Sequence, residues 1–551
     1  MNVGEMQRKL SEWATQDKER KFFDLYHLLH DEDWLRLAHS YVKQNAGSIT
    51  AGCDGVNMST FDENLESNLQ AIREELKSES FKPDPVRRVY IPKPNGKTRP
   101  LGIPAIRDRI VQEALRMILE PIFEADFSQY SFGFRPTRRT MDAARYIQWS
   151  ITERKKFFWV IEGDISSYFD TIHHPKLLRL VRRRIRDKKI LRLTWKFLRS
   201  GVMEKRTFRE TTLGTPQGGI ISPLLANIYL HELDRYMERH TSTDKGEKAK
   251  RRKQGLGNFT YIRYADDFVV LHNGRRAEVE EMREELYQFL KTGLHLELSK
   301  EKTKITHVND GFKFLGFWIQ RGQGESRVTT KIVIPDEATE KFKAKTKMAL
   351  SPSSHQASVS AKIIGLNRLI RGWCQYYQYT SRASTQFHEV GHAIYWEMAH
   401  WLGRKFKLNM PDVMRQFKQD STFALGKLRL LRPSEFPSLQ YRQRFFKPNP
   451  YLTQERKLER ESLPLETLWT GYEARPGMAD LRPLIIERDE YNCRLCGIEV
   501  TPSLCQVDHI RPVRRFKRPI DANVEWNLWT LCIRCHREKT KADRQAESRV
   551  R

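Results

Sequence analysis

The chain has 551 residues, enough for about two to four domains with cores of their own. Lys and Arg number 97 against 69 Asp and Glu, a formal net charge of +28 that favours a polyanionic partner, nucleic acid first. The basic residues are interleaved along the chain with 12 Trp, 19 Tyr and 28 Phe, a mixture suited to phosphate contact and base stacking rather than to a membrane surface. IISPLLANIYL (220–230), the most apolar stretch, is too short to span a bilayer and contains Pro223 and Asn227. The first twenty residues have no apolar signal core and carry acids. Seven cysteines do not make a disulfide scaffold, and four of them form two C-x-x-C pairs, which suggests metal in a reducing compartment. The expected location is the cytoplasm of a bacterium, with no membrane partner.

Residues 1–80 alternate helix-like segments such as FFDLYHLLHDEDWLRLAHSYV with the turn-rich NAGSITAGCDGVN. From about residue 86 the pattern is mixed. A β-like VRRVYIP leads into the turn KPNGKTRP and then the helical RDRIVQEALRMILEPIFEADF. Strand-like runs recur at FFWVIEGDI, TYIRYADDFVVL and FKFLGFWI, with helical patterns between them, an α+β rhythm. The polar, basic TSTDKGEKAKRRKQGLGN reads as an exposed hairpin or loop. After about 335 the character is helical, and in AKIIGLNRLIRGWCQYYQYT a stripe at Ile363, Leu366, Ile370, Trp373 and Tyr377 has helical spacing. A Pro-rich charged stretch from about 432 to 480 reads as a loose linker before a compact Cys/His-rich module.

Asp266 and Asp267 stand inside an apolar, β-prone run, where uncompensated charge costs several kcal/mol. A carboxylate pair on a tight turn between two strands suits Mg²⁺, which prefers oxygen ligands. Phosphoryl transfer uses two such ions about 4 Å apart, so a further acid is expected from a neighbouring strand. Asp164, at the end of the apolar run FFWVIEGD, supplies it.

The blocks SFGFRPTRRT, GDISSYFDTI, TPQGGIISPLLANIYL, YADD, LELSKEKTKI and FLGF stand in this order between about residues 50 and 450. Together they resemble the reverse transcriptases encoded by group II introns. That resemblance implies a right-hand polymerase, with an N-terminal extension over 1–85, fingers and palm over 86–330, and a helical thumb or maturase domain over 335–450. It implies that Asp164 and Asp266 bind two Mg²⁺ ions and that Asp267 supports them. Phe169 matches the aromatic gate against a ribose 2′-hydroxyl, so deoxynucleoside triphosphates are the implied substrates. Gln217 matches the residue lying against the incoming nucleotide, Gly218 and Gly219 those letting backbone approach the template. Lys97 and Arg99 match the cations that hold the triphosphate, and Lys302 a lysine that protonates pyrophosphate. Cys53, in TAGCDGV, departs from the family's usual aliphatic residue.

RGWCQYYQY (371–379) resembles the signature of the maturase region, which grips structured intron RNA. The stripe itself is expected in the core, while Arg368 and Arg371 fall off it and are the RNA-contact candidates. Just beyond, His388-Glu389-x-x-His392 formally fits a zinc protease on a helix. Position 398, where the extended motif wants a third His, is Met, and His400 is two residues off; Glu435 is a distant alternative. The two histidines are therefore read as helix-face residues.

Cys493, Cys496, Cys532 and Cys535 make a four-thiolate set suited to a structural, tetrahedral Zn²⁺. Between and after the pairs stand DHIRP, EWNLWTLC and CIRCHREK, and the whole of 481–551 resembles an HNH endonuclease of the ββα-metal fold. The resemblance implies His509 as general base, Asp508 and His536 as ligands of one divalent ion such as Mg²⁺, and Asn527 as the residue orienting His509 and bracing the loop. RRFKRPIDANVEW replaces the glycine pair many relatives carry, and Asn523 is a weaker stand-in for Asn527. Cys505 is read as packed rather than ligating. Residues 451–480 would then be a linker or DNA-binding region.

The implied protein is a reverse transcriptase, splicing maturase and DNA endonuclease acting on intron RNA and a DNA target. A splicing cofactor with a vestigial polymerase is the second reading, and the intact Asp164, Asp266 and Asp267 weigh against it. A reverse transcriptase of a defence or diversity-generating system is the third, disfavoured by the maturase segment occurring together with the HNH module.

Overall fold

The computed structural model describes residues 2–92, 96, 98–204, 207–210, 212–215, 218–241, 244–299, 301–323, 328–426, 428–441, 447–453, 478–489, 491–498, 500, 505–510, 522 and 527–539. The chain divides into two compact units, Met1–Ile332 with Tyr441–Glu459, and Val333–Gln440 with Arg460–Arg551. Lys97, Gln217 and Asn523, and most of the expected linker, lie outside the described residues. Among the described residues no helix is long and apolar enough to cross a membrane.

The first unit carries strands β1 (Val86–Pro92), β2 (Thr98–Ile103), β3 (Trp159–Gly163), β4 (Val202–Glu204), β5 (Thr207–Arg209), β6 (Phe259–Tyr264), β7 (Asp267–His272) and β8 (Lys304–His307). They form two sheets, ordered β2-β1-β4-β5 and β6-β7-β3-β8. In the second sheet β7 is antiparallel to both β6 and β3, and β3 to β8. Val269, Val270, Leu271, Val160, Ile161 and Ile262 are all buried there, so β3, β6 and β7 read as apolar runs because both of their faces are covered. The FLGF block makes a hairpin between Phe312–Phe314 and Phe317–Gln323, with Leu315 and Gly316 at φ 50° and 75°, the positive pair a tight two-residue turn requires.

Helix Ile106–Glu124 is buried on nearly every side and forms the centre of the unit, with its acids inside as well. Its three glutamates are paired with arginines. Arg116 bridges Glu113 and Glu120 at 2.6 and 2.7 Å, and Arg135 grips Glu124 in a fully buried pair at 2.7 Å. The Tyr451 hydroxyl also donates to Glu120, and Lys447 pairs with buried Asp142 at 2.7 Å. Residues 447–453 are therefore docked on the first unit rather than loose. The buried acids of helices Ile106–Glu124 and Thr140–Ser150 recruit them, a requirement that composition alone does not reveal.

A second departure is Lys245–Lys253, which is a helix and not a hairpin or loop. Asp244 caps it by accepting the Glu247 N–H at 2.8 Å, and its four C-terminal cations complement the helix dipole.

In the second unit, helix Val359–Tyr377 buries Ile363, Leu366, Ile370 and Tyr377, the expected stripe. Trp373 is half-buried and stacks on Phe342, with centroids 4.8 Å apart and planes at 8°. The C-terminal module has its own small core around Leu481, Ile485, Val507, Leu528 and Leu531. Helix Met478–Arg488 covers the antiparallel pair Cys505–His509 and Leu528–Cys532, and residues 533–539 are helical.

Candidate active sites

The first site is built on the β6–β7 hairpin. Tyr264 pairs with Asp267 across the ladder, leaving Ala265 and Asp266 as the two-residue turn. Ala265 adopts a left-handed φ of 57°, a conformation that costs a non-glycine residue energy and needs support. Arg263 supplies it. Its guanidinium is fully buried and donates to the Ala265 carbonyl at 2.8 Å and to Asn227 Oδ1 at 3.0 Å. The same group forms a two-pronged ion pair with buried Asp234, at 2.7 and 2.6 Å. Burial alone would raise the Asp234 carboxyl, but Arg263 overrides it and holds the group well below the usual carboxylate range. Asn227 and Asp234 both lie on helix Ser222–His240, so helix and turn are locked together.

The SFGF block closes the other side. The N–H of Phe132 donates to the Arg263 carbonyl at 2.8 Å, and the Arg263 N–H to the Tyr130 carbonyl at 2.9 Å. Gly133 presses on the turn so closely that a Cβ there would sit 2.2 Å from the Ala265 nitrogen. Asn227 completes the frame by donating to the Gly133 carbonyl at 2.8 Å.

Three carboxylates gather at this turn. Asp164 follows β3 directly, and its carbonyl accepts the Ser299 N–H at 2.8 Å. Burial and then the charge of Asp164 raise the Asp266 carboxyl, against the pull of Arg99 and Arg263. Desolvation in the cleft, then Asp266 and Asp164, push Asp267 up to about 6 although it keeps an exposed edge. Lys302 pairs with Asp164 at 2.9 Å and is itself held above its usual range by that bond. Lys302 and Arg99 against three acids leave negative charge in excess. An all-oxygen donor set of that kind fits a hard divalent cation.

Phe169 lies on the short helix Tyr168–Thr171 and is half-buried. Its carbonyl accepts the Thr215 N–H at 2.7 Å, which ties it to the TPQGG block. Phe134, at φ 56°, sets its ring edge-on to Phe169 at 6.2 Å. The close approach made by Gly218 is to the Gly102 carbonyl of β2, where a Cβ would come within 2.5 Å. Sequence reasoning missed Arg263, Asn227, Asp234, Gly133 and Phe134, all of which flank or lie inside the motif blocks.

In the helical segment Arg368 is exposed and Arg371 half-exposed. His388 and His392 are exposed on helix Ala383–Phe406, Glu389 is paired with Lys343 at 2.5 Å, and Glu435 with Arg429 at 3.1 Å. The H-E-x-x-H spacing thus draws no third ligand among the described residues.

The second site is in the C-terminal module. The sulfurs of Cys493, Cys496, Cys532 and Cys535 lie within 4.8 Å of one another. Gly497, at φ 70°, turns the first knuckle and donates to the Cys493 carbonyl at 2.8 Å. Burial raises the Cys493 thiol, but the surrounding backbone N–H groups, first that of Cys532, bring it down to about 6. The Cys535 N–H also points at the Cys532 sulfur, at 3.4 Å. Four sulfurs at this spacing, that of Cys493 favoured as thiolate by its N–H donors, fit tetrahedral zinc.

The ladder carries this cluster to the nuclease residues, since Cys505 pairs with Cys532 at one end and His509 with Leu528 at the other. Asn527 is fully buried, its carbonyl accepts the Ile510 N–H at 2.7 Å, and its amide donates to the Ala522 carbonyl at 3.0 Å. These bonds tie Asn527 to Ile510 on one side and to Ala522 on the other. Lys539 reaches Asp508 Oδ2 at 3.0 Å and donates to the His509 carbonyl. It shares with half-buried His536 the helical stretch 533–539, a placement the spacing of CIRCHREK could have suggested.

Three family models match the chain in order. They are the reverse transcriptase (RNA-dependent DNA polymerase) over residues 91–319, the group II intron maturase-specific domain over 339–419, and the HNH endonuclease over 493–542. The class is thus a reverse transcriptase joined to a maturase domain and a DNA endonuclease domain. Protein YkfC of Escherichia coli (strain K12) is 44% identical over 365 residues, which cover 62% of this chain and 95% of that protein. Group II intron-encoded protein LtrA of Lactococcus lactis subsp. cremoris is 31% identical over 484 residues, covering 75% of this chain and 80% of its own. The chain belongs to the group II intron-encoded proteins, and it is a multifunctional RNA-directed DNA polymerase, maturase and endonuclease.

Two outcomes follow from the geometry. Gly133→Ala drives a methyl group into the aspartate turn, and an ångström-scale displacement there is expected to lower primer extension about 100-fold, with the HNH module untouched; steady-state extension on an RNA template reads it. Cys493→Ser is expected to release zinc, unfold the C-terminal module and abolish nicking while primer extension survives. A zinc-free variant that nicks normally contradicts the ligand assignment.

Proposed function

We propose that the first unit is a right-hand polymerase in which Asp164 and Asp266 hold two Mg²⁺ ions and Asp267 supports them. The observation that carries this reading is the meeting of three carboxylates at one strand turn, each of the hairpin pair raised by burial and then by its acidic neighbours. When bound, the ions would supply the charge that activates a primer 3′-oxygen and stabilises the departing pyrophosphate. Arg99, whose charge already acts on Asp266, would hold the triphosphate with Lys97, and Gln217 would lie against the nucleotide. Lys302, which pairs with Asp164, would serve as the proton donor to the leaving group. Phe169 would exclude a 2′-hydroxyl. Residues 1–85 would be an N-terminal extension, 86–330 fingers and palm, 335–450 the thumb or maturase domain with Arg368 and Arg371 toward intron RNA, 451–480 a linker or DNA-binding region, and 481–551 the nuclease.

In the nuclease, His509 would deprotonate the attacking water, Asp508 and His536 would ligate one divalent ion at the scissile phosphate, and Asn527 would hold the loop that presents His509. The two activities combine as target-primed reverse transcription. Intron RNA enters one strand of a DNA target, the nuclease nicks the other, and the new 3′-hydroxyl primes cDNA.

Separation of the sites tests this reading. Asp266→Ala is expected to lower cDNA synthesis by orders of magnitude and leave nicking intact; His509→Ala is expected to do the reverse. Both variants should still promote splicing of precursor RNA. An Asp266→Ala protein that extends primers, or a His509→Ala protein that nicks at the normal rate, contradicts the corresponding assignment. For the gate, Phe169→Ala is expected to incorporate ribonucleotides far better while keeping deoxynucleotide incorporation, and unchanged discrimination would place selection elsewhere.

A further inference from the structure

Between Lys176 and Arg199 the chain carries eleven Lys and Arg and a single acid, Asp187. That acid faces inward. Its carboxylate is buried and accepts the N–H groups of Leu25 and Tyr26 at 2.8 Å, and those of Lys189 and Ile190 at 2.9 and 3.2 Å. Several of the cations have structural work. Arg184 pairs with Asp126 at 2.6 Å, Arg183 with Glu232, and Lys196 donates to the Phe81 carbonyl at 2.7 Å. Lys189 and Arg192 share Glu79.

Arg179, Arg182, Arg186 and Lys188 are different. All four are exposed, and among the described residues none has an acidic partner. Three of them, with Arg192, rim a groove of 590 Å³ between helices His174–Val181 and Lys188–Leu198. The groove is floored by Leu178, Leu191 and Trp195. Trp195 is half-buried and held in place by His174, edge-on at 6.0 Å, and by the Arg199 guanidinium over its ring at 6.0 Å. The volume of the groove falls within the range of small-ligand sites, about 300–1,000 Å³.

We propose that this groove binds an unstacked nucleotide from a loop or bulge of the intron RNA, with the base against Trp195 and the flanking phosphates on Arg179, Arg182 and Lys188. An aromatic floor under a cationic rim is the arrangement that takes a splayed base and its backbone. A continuous duplex has no free base to offer it without the cost of extrusion. An acidic protein surface would also be attracted to the acid-free rim, but such a partner makes no use of the aromatic floor. The inference rests on the reading of intron RNA as a partner and adds to it a site, a nucleotide conformation and named contacts.

The test uses the full-length protein and the intron transcript that carries its own reading frame, with affinity measured from ~50 to ~200 mM salt. The triple variant Arg179→Gln/Arg182→Gln/Lys188→Gln is expected to bind that RNA about 10- to 100-fold more weakly, with a salt slope shallower by about two to three. Trp195→Ala is expected to lose about tenfold or more without a change of slope, and Trp195→Phe to recover most of it. Primer extension on a short oligonucleotide template stays at the wild-type level in each, which shows that the variants fold. An unchanged affinity and slope in the triple variant, or equal binding by Trp195→Ala and wild type, overturns the proposal. An equal loss of affinity for single-stranded DNA assigns the groove to DNA and also overturns it. A wild-type protein that prefers its own transcript no more than an unrelated RNA of equal length contradicts the intron-RNA reading itself; discrimination by wild type and triple variant alike contradicts the groove alone.

Discussion

The guanidinium of Arg263 is the point on which the polymerase site depends. It sits two residues before a strained turn, inside protein, and satisfies at once a carboxylate, a side-chain amide and a backbone carbonyl. Taking such a charge out of water costs several kcal/mol, and only a well-aligned partner recovers it. Asp234 is that partner, and because it lies on a long helix, the ion pair fixes the helix and the turn in one piece. The bond to the Ala265 carbonyl supports the left-handed conformation that puts Asp266 at the tip of the hairpin.

The rest of the first unit can be understood as packing around that frame. Gly133 is glycine because the Ala265 nitrogen leaves no room for a Cβ, and Gly163 because the ring of Phe268 does the same at the end of β3. The three acids that result repel one another, and the cations facing them are outnumbered: Lys302 on one side, Arg99 on the other. The surplus is the charge that the proposed Mg²⁺ ions would neutralise. In the C-terminal module the same economy of charge takes another form. Four sulfurs lie within 4.8 Å of one another, backbone N–H donors face those of Cys493 and Cys532, and one β ladder runs from Cys532 to the end where Asp508 and His509 stand.

Much of this is legible in the sequence. Two aspartates in an apolar, β-prone run, a third at the end of another such run, and two C-x-x-C pairs are local signals. The stripe of Ile363, Leu366, Ile370 and Tyr377 is equally local and is buried as its period requires. What cannot be read is what depends on tertiary partners. Nothing near Arg263 announces Asp234, which reaches it from another element, and Gly133 looks like any loop glycine until Ala265 arrives beside it. The helix Lys245–Lys253 carries no apolar stripe, so its period is silent, although Asp244 and a run of good helix formers are signals in its favour. Residues 447–453 have the polar composition of a linker, yet the acids of two buried helices require Lys447 and Tyr451 as partners.

Arg263 does two separable things: it neutralises Asp234 and it holds the aspartate turn. A double-mutant cycle of Arg263→Met and Asp234→Leu, followed by chemical denaturation and by primer extension, separates them. Arg263→Met alone should destabilise the protein by about 3–5 kcal/mol, because it strands a buried carboxylate. The double variant, with no charge left to strand, should regain most of that stability yet extend primers about 100-fold more slowly than wild type, since the Ala265 carbonyl has lost its donor. A double variant that is stable and extends primers at the wild-type rate would show that the turn does not need Arg263 and would contradict its role in holding the polymerase site.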